Sequence, residues 1–212
     1  MSSNTDEPKQ IIHVVDDDPP FLAAITRTLE VLALPVRQYR HARQCIDELN
    51  PESRGCLITD LRMPDVDGLG LQQRLREQGC RLPVIFVTGH GETEAAVAAL
   101  KHGALDFLRK PFREQELLDC VRNALRQERE GRRLANDERE ARRRFDDLTP
   151  REKEVLELVV AGCANKIIAQ RLLISPRTVE HHRKHMMLKM RARSTSELII
   201  LALLCGVYQL HL

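Results

Sequence analysis

Asp16, Asp17 and Asp18 follow the apolar run IIHVV, and Asp60 follows the apolar run CLIT. Short apolar runs of this kind read as buried parallel strands, whose carboxyl ends would gather the carboxylates at one edge of a sheet. Neighbouring carboxylates repel one another unless a cation lies among them, and an all-oxygen ligand set with water suits a magnesium ion. The first chemical expectation is therefore an acidic, metal-dependent pocket.

From Ile11 to about Arg126, short apolar runs alternate with stretches of helical spacing such as Leu22, Ile25, Leu29 and Leu32. The runs IIHVV, CLIT, PVIFVT and ALDFLR, with a weaker one from Val36 to Tyr39, predict an α/β doubly wound, five-stranded parallel sheet covered on both faces. Its strand ends would carry Asp16 to Asp18, Asp60, Thr88-Gly89 and Lys110-Pro111. Asp18 has two readings, as a cap for the helix opening at Pro19-Pro20 or as a group behind the metal's ligands. Pro64 and Gly68 fit a tight loop after Asp60.

The segments HVVDDDPP, LITDLRMPDVDG, VIFVTGHGE and ALDFLRKPF resemble the four signature segments of bacterial response-regulator receiver domains, in order and over about 115 residues. The strand order of a receiver protein is a standard instance of the doubly wound class, so this part of the fold expectation is inherited from the resemblance. By that resemblance Asp60 accepts a phosphoryl group, and Asp16, Asp17, Asp60 and the backbone carbonyl of Arg62 hold magnesium. Lys110 and Thr88 contact the phosphoryl oxygens, and Phe107 is the switch aromatic that swings inward when Thr88 moves. The residue types suit the chemistry: a carboxylate attacks phosphorus in line while a metal and a lysine neutralise the equatorial oxygens.

Composition bounds the rest. With 212 residues, 42% hydrophobic and 30% charged, the chain is long enough for two small domains. Its net charge of +2 hides an acidic front, with 15 Lys and Arg against 19 Asp and Glu in residues 1–125, and basic remaining segments of 8 against 5 and 10 against 7. A polyanion would thus be met by the rear half. Six cysteines without a C-x-x-C pair read as reduced thiols. The polar start MSSNTDEPKQ lacks a signal-peptide core, and the apolar run from Leu198 is too short to span a bilayer, so a cytoplasmic protein without a membrane partner is expected.

Three regions follow: 11–126 as the receiver, 127–145 as a charged helical linker, and 146–212 as an all-α four-helix domain. Along the receiver's last helix and its extension into the linker, Leu118, Val121, Leu125 and Leu134 could line a pairing stripe. In the rear region Thr149 with Glu152 forms a capping box, Asn165 and Ser175 are candidate caps, and Ser194 with Glu197 forms another box. The second and third of these helices have helix-turn-helix spacing. On the third, Val179, Met186 and Met190 share an apolar stripe, opposite a basic face of Arg177, His181 and Lys184. Such a helix suits the major groove, because its amino-terminal residues reach base edges while cations meet phosphates.

The run from LTPREKEV to RSTSEL resembles the LuxR-type DNA-binding module, and its union with a TGHGE receiver resembles the FixJ-type subgroup. The resemblance implies that Thr178, Glu180, His181 and Lys184 face the groove and that Lys166 and Arg177 contact phosphate. Glu180 departs from the lysine of some relatives, which puts the base preference in doubt. It also implies a sensor histidine kinase, double-stranded DNA and RNA polymerase as partners, and a homodimer formed through the apolar helix from Ser194 to Cys205. The expectation is a phosphorylation-dependent transcriptional regulator and not an enzyme beyond phosphotransfer and autodephosphorylation at Asp60. Two alternatives stay open: a DNA-binding regulator whose receiver is merely structural, and a magnesium-dependent phosphatase working through an aspartyl phosphate.

Overall fold

The computed structural model describes residues 9–89 and 105–206. The His90 to Glu92 part of the TGHGE segment and the end of the apolar run beyond Gly206 lie outside them. The chain divides into two units, Met1–Gly131 and Arg132–Leu212.

In the first unit β1 (Ile11–Val15), β2 (Val36–Tyr39), β3 (Gly55–Asp60), β4 (Val84–Thr88) and β5 (Asp106–Arg109) form one parallel sheet in the order β2-β1-β3-β4-β5. Three described α-helices precede β4: α1 (Pro19–Leu29), α2 (Ala42–Glu48) and α3 (Gly68–Glu77), while α4 (Glu114–Asp146) follows β5. The expected doubly wound sheet is therefore present. Period-two alternation sorts its side chains: Ile12, Val14, Cys56, Ile58, Ile85 and Val87 pack with Leu22, Ile25 and Leu29 of α1 and Leu117, Val121 and Ala124 of α4. Val15, Leu57, Val84 and Phe86 pack on the other face with Cys45 of α2 and Leu71 and Leu75 of α3.

Burial of Leu118, Val121 and Leu125 in this core corrects the pairing stripe expected along the last helix and the linker. Sheet contact claims three of its four members, leaving only Leu134 exposed. Register sets the functional edge. Val15 pairs with Thr59 and Asp60 with Val87, so Asp16 and Asp60 leave adjacent strands at the same end.

The second unit contains α5 (Pro150–Val160), α6 (Asn165–Leu172), α7 (Pro176–Met190) and α8 (Thr195–Leu204). Val155, Leu156, Ile168, Val179, Met186, Met190, Leu198 and Ala202 form its core, joined by Ala141 and Phe145 from the end of α4. The apolar contacts of this unit thus begin before residue 146. Arg142 Nη1 donates to the Cys205 carbonyl at 3.0 Å and Arg144 Nη1 to that of Met190 at 3.4 Å, satisfying carbonyls at the ends of α8 and α7.

Both bonds of the Thr149–Glu152 capping box form, and Ser175 caps α7 by accepting from the Thr178 amide. Two expected caps differ. Ala164, not Asn165, precedes α6, with Asn165 already inside the helix. At α8 Ser194 accepts from Glu197, but the Glu197 carboxylate accepts from the Arg193 amide one residue earlier, so the reciprocal bond is displaced.

One buried polar group makes the stability of this sheet depend on pH. His13 is 2% exposed, and its Nδ1 lies 2.9 Å from the Tyr39 hydroxyl. Burial first, then the Arg37 charge, lower its pKa from 6.5 to about 4. The unfolded chain therefore takes up a proton at this site before the folded one does. Its contribution is complete above pH 6.5 and fades as pH falls toward 4. We expect wild type to lose about 2 kcal/mol more than His13→Gln between pH 7 and 5, measured by urea unfolding. Parallel losses would contradict a buried neutral histidine.

Candidate functional site

Asp16 closes β1 and is 1% exposed, Asp17 is exposed on the following turn, and Asp60 ends β3 half-buried. One carboxylate oxygen from each lies within 4.8 Å of the others. Three hard oxygen donors at that spacing fit a divalent cation of the magnesium class. Lys110, at the end of β5, completes the pocket: its Nζ donates to Asp16 Oδ2 at 3.0 Å and to Asp60 Oδ2 at 3.2 Å.

Burial raises the Asp16 pKa, while the Asp18 amide and Lys110 oppose the shift and the nearby Asp60 charge adds to it. Asp18 occupies the N-cap position of α1 without a side-chain cap bond. Its amide instead donates to Asp16 Oδ1 at 2.8 Å, so its backbone supports the pocket. The Arg62 amide reaches Asp60 Oδ1 at 3.3 Å. Thr88, at the end of β4, is buried and donates its hydroxyl to the Gly89 carbonyl at 3.2 Å. The Lys110 amide donates to the Thr88 carbonyl at 2.8 Å, tying the last two strand ends together. Phe107 is 37% exposed on β5, pointing away from the core side taken by Leu108.

Asp16, Asp17, Asp60 and Lys110 thus converge. Thr88 borders them through the backbone, and Phe107 is displayed on an outer face. Gly68 opens α3 where a Cβ would lie 2.4 Å from the Asp60 carbonyl oxygen and 2.9 Å from Phe86 Cε1. That close approach is why the loop after Asp60 needs glycine at this point.

In the second unit α6 and α7 are joined through Leu173, whose φ of 53° turns the chain and whose amide reaches the carbonyls of Ala169 and Gln170. Along α7, Val179, Met186 and Met190 are fully buried, whereas Arg177, Glu180, His181 and Lys184 are exposed. Lys166, in the first turn of α6, is exposed as well. Thr178 is half-buried, and its hydroxyl lies 2.8 Å from Ser175 Oγ, within the cap. The His181 and His185 ring centroids are 4.1 Å apart on the same face.

The buried side of α7 is held by charge as well as packing. Lys189 Nζ donates to Glu152 Oε2 at 2.7 Å, and the Glu152 side chain is 4% exposed. Burial works against the Glu152 charge, but Lys189 and Thr149 outweigh it and hold its pKa below the usual carboxylate value.

Residues 12–122 match the model of the response regulator receiver domain, and residues 146–202 match that of bacterial regulatory proteins of the luxR family. The transcriptional regulatory protein FixJ of Azorhizobium caulinodans is 43% identical over 92% of this chain and 93% of its own. Nodulation protein W of Bradyrhizobium diazoefficiens is 38% identical over 96% and 89%. The chain belongs to the response regulators, with a luxR-family domain. Among solved structures, the response regulator StyR superposes with a TM-score of 0.80 at 36% identity, covering 92% of this chain and 98% of that one. Full-length FixJ from B. japonicum gives 0.58 at 37% identity, with 95% and 99% covered. FixJ is named as a transcriptional regulatory protein, which favours the regulator expectation over the phosphatase alternative.

Sequence reasoning passed over one contributor to this response regulator's pocket. Phe21, in the first turn of α1, lies with its ring centroid 3.7 Å from Lys110 Nζ. Periodicity marked Leu22, Ile25 and Leu29 as the inward stripe and left Phe21 beside it, so only the approach of β5 reveals its partner. Gly68→Ala is expected to lower stability by about 1–3 kcal/mol, because either the Asp60 carbonyl or the Phe86 ring must move. Thermal unfolding checks this; an unchanged midpoint would mean that the loop relaxes freely.

Proposed function

We propose that this response regulator takes a phosphoryl group onto Asp60 from a sensor histidine kinase and thereby gains affinity for double-stranded DNA. The observation that carries the reading is the Lys110 ammonium bridging Asp16 and Asp60 at 3.0 and 3.2 Å. It offsets part of the charge of the carboxylate pair at rest and contacts the carboxylate that would attack. In the transfer a carboxylate oxygen of Asp60 attacks phosphorus in line, a P–O bond forms, and the P–N bond to the donor imidazole breaks. The leaving nitrogen keeps the electron pair.

Asp16, Asp17 and Asp60, with the Arg62 backbone carbonyl, hold a magnesium ion that neutralises phosphoryl charge when bound. Lys110 pairs with one phosphoryl oxygen and the Thr88 hydroxyl donates to another. That movement vacates space into which Phe107 turns, converting a local charge event into a change of the receiver surface. Exposure of Phe107 and the hydroxyl bond from Thr88 to the adjacent carbonyl Gly89 suit the state before transfer.

In the rear domain, exposed Glu180, His181 and Lys184 enter the major groove, with Thr178 at the helix start, while Lys166 and Arg177 meet phosphates. An inward stripe buried to completion behind them supports this orientation. The active form is a homodimer that acts with RNA polymerase in the cytoplasm, and the apolar surface that Ile200, 57% exposed on α8, offers to a second copy supports the dimer.

After incubation with acetyl phosphate and magnesium, intact mass should show one phosphoryl adduct on wild type and none on Asp60→Asn. An adduct on both would move the acceptor elsewhere; none on either, with a kinase donor also tried, would favour the merely structural receiver. For the groove, Lys184→Ala should weaken DNA binding, lowering the salt slope by about one if Lys184 meets phosphate and changing base preference if it reads a base edge. Unchanged affinity and slope would remove Lys184 from the interface.

A further inference from the structure

We propose that Phe21 is a positioning residue for Lys110, holding the ammonium between Asp16 and Asp60 by a cation–π contact so that it is in place when a phosphoryl group arrives. The inference rests on the receiver reading above and extends it to a residue outside the acidic pocket.

Four observations meet at this point. Lys110 Nζ lies 3.7 Å from the Phe21 ring centroid while donating to the two carboxylates. The Phe112 ring meets Phe21 edge-on, with centroids 6.2 Å apart and planes at 86°, so the ring that carries the cation is itself braced. Both phenylalanines are half-buried, and with Gly89, Lys110 and Pro111 they line a hollow of about 460 Å³ beside the pocket. The lysine side chain is 28% exposed and would otherwise have water on that flank.

The chemistry follows from the lysine's flexibility. Four methylenes give an ammonium many positions, and only a few place it between the acceptor and its neighbour. Two carboxylates pull it inward, but a point charge is indifferent to which of several bent stems delivers it. The negative face of the ring adds a third attraction to those of the two carboxylates, so fewer positions of the ammonium satisfy all its partners at once. Holding it there before transfer removes a reorganisation step as charge develops on the phosphoryl oxygens. Position 21 can do this because α1 opens at Pro19, straight after the turn that follows β1, which puts Phe21 in the first helical turn within reach of the Lys110 ammonium.

The test uses the full chain. With lysine labelled at Cε and Nζ, the Lys110 resonances, assigned through Lys110→Arg, should carry a ring-current shift that is lost in Phe21→Leu and kept in Phe21→Tyr. Phosphorylation by acetyl phosphate, followed by intact mass, should slow about three- to tenfold in Phe21→Leu and return to within twofold in Phe21→Tyr. The Phe21→Leu effect should vanish in a Lys110→Ala background, because a ring that acts only through the lysine has nothing left to position. If Phe21→Leu proves too unstable, progressive ring fluorination at position 21 keeps the shape while draining charge from the ring face. The rate should then fall stepwise with fluorine count.

An equal loss with and without Lys110, a rate insensitive to fluorination, or no ring-current shift would overturn the proposal. Failure of the receiver reading is distinguishable: wild type would then gain no adduct, although the ring-current shift would remain.

Discussion

The Lys110 ammonium between two carboxylates is the interaction on which the receiver half depends. Asp16 is 1% exposed, and burial pushes its pKa up, so a negative pocket could not persist there unaided. Lys110 and the Asp18 amide counter that push, one from β5 and the other from the turn after β1. A group buried this deeply is costly unless paired, which makes the correct meeting of β1, β3 and β5 a condition for the pocket's charge. The order β2-β1-β3-β4-β5 supplies that meeting, since β1 and β3 are neighbours and the end of β5 reaches back through the Lys110 amide to Thr88.

The rear unit solves a related problem with different parts. Glu152 is buried near the start of α5, where it accepts from the Thr149 amide and from Lys189 of α7. A capping box is ordinarily a local device worth about 1 kcal/mol, but burial and the distant lysine turn this one into a tie between two helices. The tie fixes α7 on its inner side, together with Val179, Met186 and Met190, and so settles which residues remain outside. Arg177, His181 and Lys184 are available because the opposite face is committed twice, by packing and by charge.

Much of this was legible in the chain. Strands announced themselves as apolar runs ended by acids, threonine or lysine, and the parallel order followed from alternation with helices. The strand-end places of the acidic pair, Asp60 and Lys110 were legible from the apolar runs before them, while their separate roles came from the resemblance to receiver domains. Less legible was anything decided by two elements meeting. Leu118, Val121 and Leu125 have a spacing that suits a partner helix as well as a sheet, and the sheet takes them. Asn165 is a better intrinsic cap than Ala164, yet the helix begins one residue earlier than propensity favours. Phe21 stayed hidden because a phenylalanine beside a core stripe carries no mark of a cation 89 residues further along the chain.

The central claim is that charge delivered to Asp60 governs the DNA-binding half. The most direct measurement is the affinity of the full chain for its operator, titrated before and after phosphorylation at constant salt, with chemical removal of the phosphoryl group as the return leg. The account predicts tighter binding on phosphorylation and reversal on removal. Equal affinity in all three states would contradict it and leave the receiver as a structural companion to an autonomous DNA-binding domain.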